Sequence, residues 1–418
     1  MPLPLYLLAL AVFAMGTSEF MLAGLLPDIA AELDVTVGTA GLLTSAFAAG
    51  MVVGAPLMAG LARGRSGRTG LLAFVVLFLT AHVIGAVTTS FPVLLATRVV
   101  AALANAGFLA VALTTAAALV PAERKGRALA VLLSGTTVAT IAGVPGGALL
   151  GELLGWRAAF WAVALLCLPA ALGIAQGVPA HSATPEEGAG RPALRAELAR
   201  LRSPRLLLAM LLGALVNAAT FGSFTFLAPL VTGTTGLGGL WLPVVLVLFG
   251  AGSFAGVTVA GRLADRRPGL VLAAGGPLLV LGWPVLAVLA ERPFAVLVLV
   301  FVLGALSFAV GATLITRVLY EAAGAPTMAG AFATAALNAG AALGPLVAAS
   351  ALDTAAGDRG PLWASGLLVA VATVVALACR LVLEPPGSSP DKRPAVTEAR
   401  GGRAHLPGTG EDLRSSRE

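Results

Sequence analysis

Long apolar runs separated by short polar connectors dominate this chain. Twelve of the runs reach the length of about 20 residues that a helix needs to cross the hydrocarbon core of a bilayer. Their predicted bounds are 3–26, 39–61, 70–88, 92–119, 127–150, 157–177, 205–231, 241–261, 270–290, 294–316, 328–351 and 361–383. The pattern predicts an all-α integral membrane protein with twelve transmembrane helices.

The second half of the chain repeats the first at a nearly constant offset. A shift of 202 residues places Phe47 on Phe249 and Gly50 on Gly252. Two six-helix repeats in parallel arrangement are typical of secondary transporters, whose binding site lies between the repeats. The predicted organisation is an N-terminal half (1–177), a cytoplasmic central loop (178–204), a C-terminal half (205–383) and a disordered cytoplasmic tail (384–418) that is too polar to form a core.

Composition and charge support a membrane protein and give its orientation. The 418 residues are 58% hydrophobic and 11% charged, whereas soluble domains average about 25% charged residues. The net charge of +6 could suggest nucleic acid, but the basic residues lie in connectors and form no basic helix face. One alternating set of connectors, together with the tail, holds 22 Lys and Arg, and the other set holds three. The positive-inside rule therefore places both termini of a multi-pass cell-membrane protein in the cytoplasm.

Two charged residues lie deep inside apolar runs, Glu19 in the first and Arg98 in the fourth. Ionisable residues inside membrane spans are functional-site candidates by default. At 1.5 Å per residue, both lie roughly 10 Å below the same membrane surface, so they can pair. We expect a proton-coupling pair, and the alternative is a static ion pair that fixes packing. Asn105, two helical turns from Arg98, is a candidate for the wall of a cavity beneath it.

The second half of the repeat offers uncharged groups instead. Thr225 corresponds to Glu19, and Asn217 and Asn338 are the other polar candidates for binding a substrate. Phe221 and Phe224 fall on one helical face with Asn217 and serve either to contact a ligand or to pack.

His82, in the third run, is either a proton relay or a neutral, hydrogen-bonded histidine. Cys167 and Cys379 show no metal-ligand spacing and lie in separate apolar runs, so no metal site is expected.

Small residues recur in the fifth run at Gly143, Pro145 and Gly147. The sequence superficially resembles a phosphate-binding loop, but it lies inside an apolar run and follows no strand. Small residues at four-residue spacing allow two helices to approach closely in lipid. The glycine run therefore predicts a close helix contact.

Several of these segments resemble the major facilitator superfamily, in its drug:proton antiporter branch. Residues 19–28 resemble the first-helix motif of that branch, and Arg98 stands at the position of its fourth-helix arginine, which is linked to proton transfer. Residues 143–147 resemble the antiporter motif of the fifth helix. Residues 261–266 resemble the cytoplasmic loop motif, which implies a gating role for Asp265 and Arg266.

One departure from the family pattern concerns the first copy of that loop motif. Arg63 stands where the family has an aspartate, so Asp265 is the gate acid that this chain retains. Over residues 1–41 and 98–145 the chain is similar to the chloramphenicol-resistance efflux proteins of actinomycetes. The resemblance implies a monomeric drug:proton antiporter without a cofactor, whose partners are chloramphenicol, protons and the bilayer, and not nucleic acid.

Other functions remain open from the sequence. Related antiporters export sugars or other small metabolites. An integral-membrane enzyme would need convergent nucleophilic or metal-binding groups, such as a His-Glu-x-x-His helix, and the apolar runs hold almost none. A channel fits less well than alternating access, because glycine and proline interrupt the helices. ATP-driven export is disfavoured because the chain has no Walker-type phosphate loop.

Overall fold

The computed structural model describes residues 2–61, 67–121, 124–178, 194–264, 268–325 and 328–383. Within these ranges, twelve helices are long and apolar enough to cross a membrane, which confirms the predicted number and the all-α class. Numbered in chain order, they are α1 Leu3–Phe20, α2 Val37–Leu61, α3 Gly67–Val87, α4 Phe91–Ala118, α5 (Lys125–Val138 continued by Val144–Leu154), α6 Trp156–Gly177, α7 Pro204–Thr225, α8 Trp241–Ala264, α9 Pro268–Val288, α10 Pro293–Glu321, α11 Ala329–Leu352 and α12 Gly360–Leu383.

Three of these helices are interrupted or end where a proline follows. Proline has no N–H to donate, and its ring clashes with the carbonyl four residues earlier. Pro229 excludes a regular bond to Thr225, the last residue of α7, and a short helix and a π turn, Leu230–Thr234, follow. Pro145 likewise excludes a regular bond to Ile141, which lies in the π turn Ala139–Gly143 inside α5. After α1, a 3-10 turn, Met21–Gly24, leads into the helix Leu26–Glu32, which has a proline as its second residue.

Two large buried apolar clusters form most of the core. One lies mainly among α1–α6, and the other mainly among α7–α12. Helix α2 packs along α11, and α5 packs against α8. Phe226 and Ala348 join the first cluster, and Ala23, Val144 and Ala148 join the second. Large apolar side chains such as Leu172 and Phe294 point outward, where the hydrocarbon of a bilayer accommodates them.

Glycines allow α5 to approach α1 and α11 to approach α7. A Cβ at Gly143 would lie 3.0 Å from Thr17 Cβ, and one at Gly147 would lie 3.3 Å from Met21 Cβ. A Cβ at Gly344 would lie 2.9 Å from the Cα of Ala218. The glycine run of α5 thus lies at a helix contact, and the equivalent pair of helices in the second repeat has the same kind of contact.

Ion pairs tie the loops together at one end of the bundle, called here the Arg157 end. Arg157 pairs with Glu32 and donates to the carbonyl of Thr88 at 2.8 Å. Trp156 Nε1 donates to the same Glu32 carboxylate at 2.6 Å. Arg359, which lies 202 residues after Arg157, pairs with Glu291. Each repeat therefore uses an arginine at the equivalent position to join its loops.

Candidate functional site

Glu19 lies in the last turn of α1, where the α-helix gives way to the tighter 3-10 turn. Its side chain is partly buried and lies on a narrow cleft. The other residues that line the cleft are Phe20, Ala23, Thr44, Phe221, Phe224 and Thr225. Glu19 is thus the one ionisable residue in this lining, and side chains of α2 and α7 surround it.

Arg98, in α4, is only 1% exposed and is held by α1. Its Nη1 donates to Ser18 Oγ at 2.8 Å, and its Nη2 donates to the Ser18 carbonyl at 2.6 Å. This carbonyl belongs to the last turn of α1, where backbone acceptors lack regular helical partners. The guanidinium also lies 4.6 Å from the centroid of the Phe47 ring, a favourable cation–π contact.

His82, in α3, continues the network on the other side of Ser18. Its Nδ1 lies 2.8 Å from the carbonyl of Phe78, and its Nε2 lies 2.6 Å from Ser18 Oγ. A carbonyl only accepts, so Nδ1 donates to it, and in a neutral ring Nε2 then accepts from the serine hydroxyl. The same hydroxyl oxygen can then accept from Arg98. These directions describe a neutral histidine, which is the second of the two roles that the sequence leaves open.

Glu19 and Arg98 lie close together without forming a direct ion pair. Glu19 directly follows Ser18, which holds the Arg98 guanidinium, and Asn105 is buried two turns further along α4. The ion pairs found among the described residues do not include Glu19 with Arg98. Adjacent residues on an α-helix point about 100° apart, and the guanidinium lies on the Ser18 side of α1. The predicted partners are therefore neighbours, with Ser18 as the residue that Arg98 binds.

Five phenylalanines form a continuous row beside the Glu19 cleft. The ring centroids are 5.6 Å apart for Phe20 and Phe221, 6.1 Å for Phe221 and Phe224, 4.7 Å for Phe224 and Phe249, and 6.1 Å for Phe249 and Phe308. They surround a cavity of about 20 Å³, whose other lining residues are Thr140, Val144, Thr220 and Ser253. Three of the phenylalanines also line the cleft, so Glu19 adjoins the aromatic cavity.

Two hydroxyl groups in the cleft have no hydrogen-bond partner among the described residues. They are Thr44 Oγ1, from α2, and Thr225 Oγ1, from α7, and both are buried. Buried hydroxyls are almost always paired with protein or water, so an unpaired one calls for an explanation.

Two predicted binding residues lie elsewhere. Asn217 Nδ2 donates to the carbonyl of Leu337 at 2.7 Å and so ties α7 to α11. Asn338 Nδ2 donates to the carbonyl of Thr334 at 3.0 Å, within its own helix. Neither asparagine lines the cleft or the cavity, in contrast to Phe221, Phe224 and Thr225.

Three of the five predicted gating and structural motif residues lie within the described part of the chain. Gly143 is the last residue of the π turn, and Pro145 and Gly147 lie in the first turn of the helical segment after it. Asp265 and Arg266, the predicted gate residues, lie outside the described residues.

Sequence reasoning missed several residues of the site. Ser18 and Thr44 are small hydroxyl residues in apolar helices, where their type alone carries no signal. Phe20, Phe249 and Phe308 are aromatic residues among many apolar ones. The repeat did pair Phe249 with Phe47, and both lie at the site, Phe249 against the cavity and Phe47 under Arg98.

Comparisons with known proteins agree with this architecture. The chain is 74% identical over 383 residues, 92% of its length and 97% of the relative, to a chloramphenicol resistance protein of Streptomyces lividans. It is 35% identical over 357 residues, 85% of its length and 90% of the relative, to the inner membrane transport protein YdhP of Escherichia coli strain K12.

A solved structure shares the fold. It is a bacterial homologue of the human lysosomal transporter Spinster, in an inward-facing and unoccupied conformation, which superposes with a TM-score of 0.72 at 19% identity and covers 92% of this chain and 98% of its own. The family model of the Major Facilitator Superfamily matches residues 8–337. Together with the twelve membrane-spanning helices, these matches show that the chain belongs to the Major Facilitator Superfamily of membrane transporters.

Proposed function

We propose that this transporter exports chloramphenicol from the cytoplasm in exchange for protons, with Glu19 as the proton carrier. The observation that carries the proposal is that Glu19 lines a cleft next to the cavity formed by the five phenylalanines. The cleft and the cavity share three lining residues. A substrate bound to the rings therefore lies beside the carboxyl group, so its binding depends on whether that group is protonated. The name of the Streptomyces lividans relative supports the substrate.

The chemistry of chloramphenicol suits this lining. The molecule is uncharged and carries a nitrophenyl ring, two hydroxyl groups and an amide. The ring can stack on phenylalanines such as Phe221 and Phe224, since aromatic pairs favour offset or edge contacts at 4.5–7 Å. The unpaired hydroxyls of Thr44 and Thr225 can bind its hydroxyl and amide groups. An exporter of sugars fits less well, because five of the nine residues that line the cavity are phenylalanines.

The dimensions of the cavity require movement during transport. A volume of about 20 Å³ has room for little more than one water molecule, whereas sites for drug-sized ligands measure about 300–1,000 Å³. The lining comes from α1 and α5 on one side and from α7, α8 and α10 on the other. Separation of these two groups of helices opens the site, which is the rocking motion expected of two-repeat transporters.

We also propose the orientation, the boundaries of the halves, the monomeric state and the gate that the sequence predicts. The Arg157 end faces the outside, and both termini lie in the cytoplasm. The boundaries of the two halves are those that the repeat predicts. The protein acts as a monomer without a cofactor. Asp265 and Arg266 act at the cytoplasmic gate, and the glycine contact of α5 with α1 shapes the motion of the N-terminal half.

The first experiment measures resistance and coupling in cells. Cells that express the protein should tolerate more chloramphenicol than empty-vector cells, and a proton uncoupler should abolish the difference. Glu19→Gln, which resembles the protonated carboxyl but cannot release a proton, should abolish resistance at equal protein level. Resistance that survives both the uncoupler and this substitution would disprove proton-coupled export through Glu19.

The second experiment tests the aromatic site in proteoliposomes. Phe224→Leu should raise the chloramphenicol concentration for half-maximal export by about two- to twelvefold, because a stacked aromatic pair contributes about 0.5–1.5 kcal/mol. Phe294→Leu is the matched control, since Phe294 is 79% exposed on the outside of α10. Equal behaviour of the two variants would remove the phenylalanine row from substrate binding.

A further inference from the structure

Arg98 is an incompletely satisfied cation. Two of its nitrogens donate to Ser18, but its Nε has no partner among the described residues, and the side chain is 1% exposed. A guanidinium has five N–H groups, and a buried donor without a partner is unfavourable. The carboxyl group of Glu19 belongs to the residue directly after Ser18, and the ion pairs found among the described residues do not join it to Arg98. Arg98 therefore has donors left for a second arrangement.

Ser18 presents its hydroxyl to Arg98 because His82 fixes the direction of that hydroxyl. The serine has one hydrogen, and with Nδ1 of His82 protonated toward the Phe78 carbonyl, the serine donates this hydrogen to Nε2 at 2.6 Å. The oxygen lone pairs are then left for Arg98 Nη1. Without the acceptor on His82, a serine hydroxyl in a helix commonly turns to a carbonyl of its own preceding turn. The position of the histidine thus decides how well Ser18 competes for Arg98.

The surroundings of Glu19 contain few other charges. Arg98 approaches from α4, and His82 of α3 stands behind Ser18. The cleft lining from α2 and α7 is uncharged, and α5 meets α1 through small residues. Helix α6 presents Phe160, at 5.7 Å from the His82 ring. At the Arg157 end, Glu32 pairs with Arg157, and Asp28 and Glu152 are two further acidic residues in the flanking helices. A change in the position of Arg98 is therefore the main electrostatic change that Glu19 can experience in this arrangement.

We propose that His82 is a positioning residue that acts through Ser18 to hold Arg98 away from Glu19, and that Arg98 alternates between Ser18 and the Glu19 carboxylate as the proton comes and goes. The inference rests on the proposed role of Glu19 as the proton carrier. When Glu19 is protonated and neutral, Arg98 stays on Ser18. When Glu19 releases its proton to water, the carboxylate attracts the guanidinium. By favouring the arrangement in which Arg98 binds Ser18, His82 weakens the ion pair between Arg98 and Glu19. The next proton can then bind Glu19 without displacing a strong ion pair.

Two substitutions of His82 separate positioning from packing. In His82→Gln, the amide oxygen can take the place of Nε2 and accept from Ser18. In His82→Asn, the shorter amide can reach the Phe78 carbonyl as Nδ1 does, but it offers no acceptor to Ser18. Both variants remove the buried ring, so a role in packing alone would affect them alike. Ser18→Ala removes the hydroxyl itself and gives an independent test should His82→Asn fail to fold.

The readout is the protonation of Glu19 in the purified, membrane-reconstituted protein, followed by infrared spectroscopy. The carbonyl stretch of its protonated carboxyl is identified as the band that is absent from Glu19→Gln. In His82→Asn and Ser18→Ala, Arg98 should move to Glu19, and the midpoint of the titration should fall by about 1 pH unit or more, since a neighbouring opposite charge shifts a carboxyl by 1–3 units. His82→Gln should titrate with the wild-type midpoint.

The outcomes distinguish this inference from the function on which it rests. A band that titrates with the same midpoint in wild type, His82→Asn and Ser18→Ala overturns the positioning role and leaves proton carriage by Glu19 intact. Equal shifts in His82→Gln and His82→Asn also overturn it, because they reveal a packing effect. A wild-type band that does not titrate overturns the proposed proton carrier, and this inference with it.

Discussion

Arg98 differs from a lysine in more than charge at this site. Its planar fork reaches the hydroxyl and the carbonyl of Ser18 at once, whereas a lysine ammonium is a single point of contact. The fork explains how one residue can hold α4 against the last turn of α1 and still keep a free Nε–H. Charge and geometry therefore make separate contributions that substitutions can separate.

Two substitutions of Arg98 should separate the contribution of its charge from that of its planar geometry. Arg98→Leu places the residue of the second repeat, Leu299, at this position and should abolish uphill export, because no cation is left to stabilise the ionised carboxylate. Arg98→Lys keeps the charge and should export at a reduced rate. The measurement is accumulation of chloramphenicol against its gradient in everted vesicles at equal protein level. Uphill export by Arg98→Leu would show that the charge at this position is not part of the coupling device.

The site shows which residues a single sequence can reveal. Glu19 and Arg98 could be predicted because a charge inside an apolar helix is conspicuous and needs a partner. Ser18 could not, because a serine in a membrane helix is common, and its importance comes from the two groups that meet at its hydroxyl. The asparagines were conspicuous for the same reason as the charges, but Asn217 donates to a backbone carbonyl of α11 and Asn338 to one of its own helix.

Two of the places where the helices deviate from the predicted runs, inside α5 and at the end of α7, coincide with prolines. Apolar length predicts each span well, since lipid selects for hydrophobicity along the whole run. Apolar length does not reveal a break in a helix, because the π turns and the 3-10 turn are as apolar as the helices around them. The predicted span 205–231 therefore passes through the end of α7 at Thr225, four residues before Pro229. The break after α1 falls immediately after Glu19 and Phe20, so this local irregularity helps to build the site.

The contact between α5 and α1 can be tested with two glycines in one helix. A methyl group at Gly143 would meet Thr17, whereas Gly146 has open space around its Cα. Gly143→Ala should lower the thermal midpoint of the purified protein and reduce export, since overpacking a tight contact costs about 1–3 kcal/mol. Gly146→Ala should be neutral or slightly stabilising, because alanine favours a helix over glycine by up to about 1 kcal/mol.

The opposite ranking of these two variants would contradict the close contact between α5 and α1. Equal, small effects of both would indicate that α1 shifts to accommodate the extra methyl group. Measuring export together with the thermal midpoint separates loss of motion from loss of fold.

The distribution of basic residues over the whole molecule predicts its orientation. The Arg157 end carries few basic residues, and the connectors at the other end carry most of them. Reporter fusions after residues 190 and 400 should be cytoplasmic, and fusions after residues 32 and 236 should be outside. Because successive spans of a multi-pass protein cross the membrane in opposite directions, one wrong fusion reverses the assignment of its neighbours among the twelve helices. A cytoplasmic reporter at 236 would contradict the proposed arrangement of the two halves.

The charge that the whole molecule moves in one cycle gives the last prediction. Chloramphenicol is neutral, so its export in exchange for one proton carries one net positive charge inward. A membrane potential contributes about 2.3 kcal/mol per elementary charge for each 100 mV. With equal pH on both sides of a proteoliposome, an imposed potential should therefore drive accumulation of about 50-fold per 100 mV at this stoichiometry.

The sign of the potential tests the mechanism further. A potential that is negative on the cytoplasmic side of the protein draws protons toward that side and should speed export, and the reversed potential should slow it. Glu19→Gln is the control, because it has no proton to release at this position and should not respond. Wild-type export that ignores the potential would contradict a one-for-one exchange of a proton for a neutral drug. A response of Glu19→Gln as large as that of wild type would place the moving proton on another group, and Asp28, in the helix that follows the 3-10 turn, is the next carboxylate along the chain.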